Sequence, residues 1–208
     1  MSTWTSRLRP GLMLAAAVPL LAACLAAGGA LQSRPVLGGA LTVAAPPGYC
    51  IDPAGVLERQ DTAIVLIGRC AVTGETQVPQ ARAILTVAVG GAGSGAGISG
   101  GGAQLAAFFK SPQGRAALSR SGRAASVTLH EALVVGDAFL MRLTDTSPGG
   151  DSRGQPESWR AVLDVEGRLV TLSVSGPAGA PMDPAAGRRL TDRFLAAMQA
   201  ANRAKVSL

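Results

Sequence analysis

Trp159-Arg160-Ala161-Val162-Leu163-Asp164-Val165-Glu166-Gly167-Arg168-Leu169-Val170-Thr171-Leu172-Ser173-Val174 is the stretch on which the fold turns. Side chains along a strand alternate between its two faces. Trp159, Ala161, Leu163 and Val165 therefore share one face, opposite Arg160, Val162 and Asp164. Val170, Leu172 and Val174 repeat the pattern on the return. Glu166-Gly167 lies between the arms, with glycine where a tight turn needs positive φ. The stretch predicts a β-hairpin with one apolar face.

The same period continues upstream. Phe139, Met141 and Leu143 oppose Arg142 and Thr144; beyond a Gly136-Asp137 turn, Val127, Leu129 and Glu131 oppose Thr128 and His130. Residues 62–67 and 83–89 are rich in β-branched side chains and too continuous to alternate, as buried central strands are. Downstream, Asp183 can cap a helix and Pro184 fits its first turn. Leu190, Phe194, Met198 and Ala201 then form one stripe, with Arg189, Asp192 and Arg193 outside it. A shorter helical region spans 104–110 and 115–121, broken around Pro112 and Gly114. Helix stripe and sheet face must bury one another. The expected fold is α+β, an antiparallel β-sheet covered on one face by helices, including a C-terminal helix. Residues 90–102 (GGAGSGAGISGGG) and 145–157 (DTSPGGDSRGQPE) read as flexible loops by composition.

The N-terminus has a different character. Arg7 and Arg9 precede an uncharged apolar run from Gly11 to Ala23, 13 residues long. That length suits a signal-peptide core and is short for a membrane span, which needs ~20 residues. Extension to Leu31 reaches 21 residues but includes Pro19, Gly28 and Gly29, so an uncleaved anchor is the weaker alternative. Leu21-Ala22-Ala23-Cys24 resembles the lipobox of bacterial lipoproteins. The resemblance implies that 1–23 is a cleaved signal peptide, that Cys24 receives a diacylglycerol, and that the chain is exported and held at a membrane facing the periplasm. Leu25 follows the cysteine where enterobacterial lipoproteins of the inner membrane have Asp, which tilts the expectation towards the outer membrane. Ordinary cleavage near Ala30, with Cys24 a small apolar residue, is the competing reading. Residues 24–40 would be the lipidated cysteine and a flexible Ala/Gly-rich tether, and 41–204 a single domain.

Setting Cys24 aside leaves Cys50 and Cys70, an even pair in an oxidising compartment, which implies a disulfide. A metal site would need more ligands nearby, and His130 is the lone histidine of the chain. No Cys-x-x-Cys redox motif occurs.

Charge bounds the partners. Without Arg7 and Arg9 the chain carries 17 basic and 13 acidic residues, a surplus suited to weak attraction towards anionic surfaces. Nucleic acid is not an expected partner: seven aromatics in 208 residues cannot supply the stacking platforms that sequence-independent binding uses.

Two motifs suggest chemistry and fail on spacing or order. Gly95-x-Gly97-x-x-Gly100 matches the dinucleotide fingerprint, but its glycines come six residues after the strand, and no Gly-Lys-Ser/Thr follows. Gly97-Ile98-Ser99-Gly100-Gly101 matches a nucleophile elbow, yet no acid lies between Ser99 and His130, so the Ser–acid–His order cannot form. Asp145 and Asp151 fall in an expected mobile loop, a poor support for catalysis. His130 reads as a solvent-facing strand residue, and Arg115, Arg120 and Arg123 as a solvated basic face.

From Trp159 to Ala201 the order strand, Glu166-Gly167 turn, strand ending Ser175-Gly176-Pro177, and helix from Asp183 resembles the DcrB-type lipoproteins and PsbP-like domains. The Cys50/Cys70 pair and the long glycine loop depart from that pattern. The resemblance implies a non-enzymatic accessory or binding domain. The resulting expectation is a lipid-anchored periplasmic binding module with no cofactor and no metal, contacting the membrane through its lipid and an envelope protein or anionic surface through its domain. A hydrolase-like envelope enzyme and a purely structural protein are the alternatives. Convergent titratable groups in a concave pocket would favour the enzyme; an exposed apolar patch rimmed by arginine would favour partner binding.

Overall fold

Glu166 and Gly167 both adopt left-handed backbone, φ +52° and +73°, and join β8 (Gly154–Val165) to β9 (Arg168–Pro177) as the hairpin that the alternation requires. The computed structural model describes Met1 and residues 31–70, 81–98, 101–148 and 154–203. Before the hairpin come β1 (Ser33–Val36), β2 (Leu41–Ala44), β3 (Tyr49–Arg59), β4 (Thr62–Arg69), β5 (Ile84–Ala92), α1 (Gly102–Lys110), α2 (Pro112–Leu118), β6 (Val127–Val135) and β7 (Ala138–Asp145). After it comes α3 (Pro184–Arg203). One antiparallel sheet runs in the order β3-β4-β5-β9-β8-β7-β6, and β1 and β2 form a separate two-stranded ribbon.

The expected α+β architecture and C-terminal helix are present. Helix α3 lies against β2, β8 and β9 on what we call the inner face. Leu190, Phe194 and Met198 are fully buried there with Trp159, Ala161, Leu172 and Val174. The Asp183 carboxylate accepts from the Ala186 amide at 2.8 Å and so caps the helix. The buried stripe ends at Asn202 rather than Ala201, because Asn202 is paired with backbone: its Nδ2 donates to the Thr42 carbonyl and its Oδ1 accepts from the Thr42 amide. Helices α1 and α2 lie on the opposite, outer face, where Phe109 and Leu118 cover Phe139, Met141, Leu143 and Val162. Pro112 opens α2, and Ser111 Oγ accepts from the Gly114 amide, so the expected break is a capped elbow. The sheet is thus flanked by helices on both faces, but over different strands.

Three expectations are corrected. Residues 33–36, assigned to the tether, form β1; Val36, Leu41 and Val43 are buried, and Pro35 is tolerated because β1 pairs on one side alone. The folded unit therefore starts by residue 33, not 41. The glycine tract is pinned where it is described. Ser94 Oγ accepts from the Leu169 amide at 3.0 Å, the Gly95 amide donates to the Gly167 carbonyl at 3.1 Å, and a Cβ on Gly95 would stand 2.6 Å from the Asp164 carboxyl. Glycine there allows close packing on the β8–β9 turn. Asp145 ends β7 as a buried residue and is not part of a mobile loop, and residues 154–157 belong to β8.

Gly187 gives a directional prediction. Glycine to alanine inside a helix ordinarily stabilises by about 1 kcal/mol. A Cβ here would stand 2.7 Å from Trp159 Cδ1, in a ring whose Nε1 donates to the Pro184 carbonyl at 2.9 Å. Gly187→Ala is therefore expected to destabilise, by about 1–2 kcal/mol, as overpacking does. A thermal melt showing a higher midpoint for the variant would contradict this packing.

Candidate functional site

Cross-strand register defines one row on the outer face: Leu57, Ile64, Ala88, Thr171, Val162, Phe139 and Val134, from β3 across to β6. Val162 and Phe139 are covered by α1 and α2. Among the described residues no helix lies above the β3–β4–β5–β9 half of the same row, and Leu57 and Ile64 remain 56% and 47% exposed. A neighbouring row pairs Leu66, Thr86 and Ser173 with Arg160 and Met141, and its β4–β9 side is again open. Between these rows and the Ile84/Ser175 pair, the open half bears only aliphatic side chains and small hydroxyls.

Arg160 stands at the border between the open and covered halves. One guanidinium nitrogen donates to the Leu118 carbonyl at 3.0 Å, and its buried Nε has no partner among the described residues. Burial lowers this guanidinium's pKa, Asp145 opposes that shift, and Arg120 adds to it. Arg59 is exposed at one end of β3. The strip is thus a mixed surface of aliphatic side chains and small hydroxyls, with Arg59, Arg160 and the β3-bulge residue Asp52 at its margins. Burying the area that Leu57 and Ile64 still expose would contribute roughly 1 kcal/mol each.

A second constellation does resemble chemistry. Ser119, Ser126 and Ser147 hydroxyls lie within 3.0 Å of one another, Ser121 Oγ is 2.9 Å from Ser147 Oγ, and Ser147 Oγ donates to Asp145 Oδ1 at 2.6 Å. Asp145 Oδ2 accepts from the Arg120 amide at 2.9 Å and faces Arg120 Nε at 3.4 Å. Burial would push this carboxyl up, but hydrogen bonds from Ser147 and the Arg120 amide, with the Arg120 charge, hold it down at about 2. A base activating serine works best near operating pH, about five units higher. Ser147 is also buried. The cluster fastens the chain after α2 to the end of β7 and does not amount to a nucleophile–base pair. Sequence reading missed it because its members are isolated serines that meet through tertiary contacts.

The other predicted site residues separate. Cys50 and Cys70 form a disulfide with Cα atoms 4.9 Å apart, closing the β3–β4 hairpin at the end away from its turn. Cys24 and Ser99 lie outside the described residues, as does Asp151. His130 is exposed, and its Nε2 pairs with Thr144 Oγ1 at 2.9 Å. Arg120 is engaged with Asp145, while Arg115 lies beside the β6 edge. Among the described residues no group of three or more His, Cys, Asp or Glu is placed to hold a metal ion, and no helix is long and apolar enough to cross a membrane.

Fold and surface together define an α+β protein with a half-covered antiparallel sheet. No family profile and no curated protein sequence matches the chain. Among solved structures it is similar to the Ran-binding protein Mog1p of Saccharomyces cerevisiae, at 10% identity and a TM-score of 0.43, over 82% of this chain and 93% of that one.

Proposed function

We propose that this chain is a lipid-anchored, periplasm-facing accessory module of the cell envelope, tethered through Cys24, that performs no chemistry of its own and binds a partner protein. The observation that carries this reading is the open half of the outer sheet face, with its aliphatic side chains and small hydroxyls. Its occupant would be an amphipathic helix of the partner. Where the same cross-strand row continues under α1 and α2, helical aliphatic and aromatic side chains cover it. An anionic surface is a poorer occupant, because the strip offers no cation within it. Export is supported by the leader and by a cysteine pair that forms a bridge.

Two substitutions test this. Cys24→Ala should abolish incorporation of labelled fatty acid; continued labelling would reject the anchor. Leu57→Lys/Ile64→Glu puts opposite charges on two exposed positions that face one another across β3 and β4, so stability should move by no more than about 0.5 kcal/mol each. The double variant should keep its melting midpoint and its lipid, yet migrate in native gels of solubilised membranes at the mass of the isolated chain. An undiminished native mass would contradict docking on this face, as would co-migration of two differently tagged copies of the chain.

A further inference from the structure

The two edges of the sheet are finished differently. The β3 edge carries Pro53, an irregular register between Ile51 and Val56, and an Ile51 amide already donating to the Leu31 carbonyl. These are the usual devices that keep an edge from pairing. At the other edge, β6 pairs with β7 alone. Its outward backbone groups have no strand partner among the described residues. Irregularity is limited to one register shift between Leu129 and Glu131.

Alongside this edge runs an open groove of about 460 Å³, walled by residues 127–132 on one side and by Lys110 and Arg115 on the other. The Arg115 guanidinium donates to the Lys110 backbone carbonyl at the α1–α2 elbow, and both residues line the groove. The acid within the groove, Glu131, is 2.8 Å from Arg142 Nε, and the same guanidinium is 3.1 Å from Glu157. Lys110, Arg115 and Arg142 thus stand against two carboxylates, which leaves a balance of one positive charge along the groove. Leu133 and Val134, next along the strand, remain 37% and 55% exposed.

We propose that the β6 edge and its basic wall form a second docking site, independent of the open sheet face, which takes an extended acidic peptide segment of a partner protein as an added strand. Backbone pairing along an edge supplies affinity, and side-chain pockets supply selectivity. Carboxylates on alternate residues of the segment would meet Lys110 and Arg115 on the outer face, while the intervening side chains would lie on the inner face, along Thr128, Glu131 and Leu133. A second copy of the chain fits less well, because antiparallel β6–β6 pairing would bring two such basic walls together.

The test uses the full chain, purified in detergent with its disulfide intact, and a synthetic peptide alternating glutamate and threonine. A peptide alternating lysine and threonine is the control. The glutamate peptide is expected to slow amide exchange across β6 by about tenfold or more and leave β3 unchanged; the lysine peptide should do neither. Lys110→Glu, an exposed change at a helix end, should weaken the glutamate peptide roughly tenfold. Lys110→Glu/Arg115→Glu should remove its effect, and salt should weaken it progressively. Equal protection by both peptides would overturn the proposal. So would binding without β6 protection, or β6 protection that rises with protein concentration in the absence of peptide.

Discussion

Cys50→Ala/Cys70→Ala is expected to lower the unfolding free energy by ~3 kcal/mol, the loop-closure value for a bridge of this span. The two residues are 20 apart in sequence and join the start of β3 to the end of β4. The hairpin is otherwise held by its Gln60-Asp61 turn, by ladder bonds interrupted between Ile51 and Val56, and by the Cys70 amide donating to the Gly48 carbonyl. Losing the bridge frees the interrupted end first. Because β3 and β4 carry Leu57 and Ile64, the variant should also lose partner docking before it loses the rest of the fold. Denaturant titrations check this. The parent should shift to a lower midpoint when reductant is added, and the variant should unfold near that lower midpoint with or without it. A parent indifferent to reductant would contradict a structural role for the bridge.

Asp145→Ala should cost about 3 kcal/mol, because it removes the acceptor of the buried Ser147 amide and hydroxyl and of the part-buried Arg120 amide. Asp145→Asn isolates the charge. The folded carboxyl titrates at about 2 against an ordinary 3.8. A depressed carboxylate stabilises fully above its unfolded value and loses that contribution as pH falls through its folded one. The stability gap between parent and Asn variant should therefore be constant above about pH 5, amount to about 2 kcal/mol there, and close between about pH 4 and pH 2. Urea midpoints measured across that range decide the matter. A gap that persists at pH 2 would place the stabilisation in packing and not in charge.

What the sequence disclosed follows from which signals are local. The β8–β9 hairpin was legible because alternation and a turn glycine are both written within sixteen residues, and α3 was legible because a cap, a proline and a 3.6-residue stripe coincide. β1 was not: Ser33-Arg34-Pro35-Val36 has no alternation of its own and becomes a strand only by pairing with Leu41–Ala44 against α3. The glycine tract read as loose because composition records backbone freedom, and does not record that Ser94 and Gly95 would dock on the Gly167 turn. Asp145 and the four serines around it come from three separate segments, so no spacing rule unites them. The open face was hidden for a related reason. Thr62–Ile67 and 83–89 read as strands buried on both sides, whereas the α1–α2 cluster reaches only as far as Leu169 on β9, and among the described residues no helix lies over the outer side of β4 and β5.

The most direct test of the central claim places a photo-crosslinking amino acid at position 64 of the full-length chain and irradiates intact cells, with position 137 in the β6–β7 turn as control. A discrete adduct is expected at position 64 and none at 137, the cross-linked peptide being a helical segment of another envelope protein with one aliphatic face. An adduct to phospholipid or to a second copy of this chain, or no adduct at position 64, would contradict it.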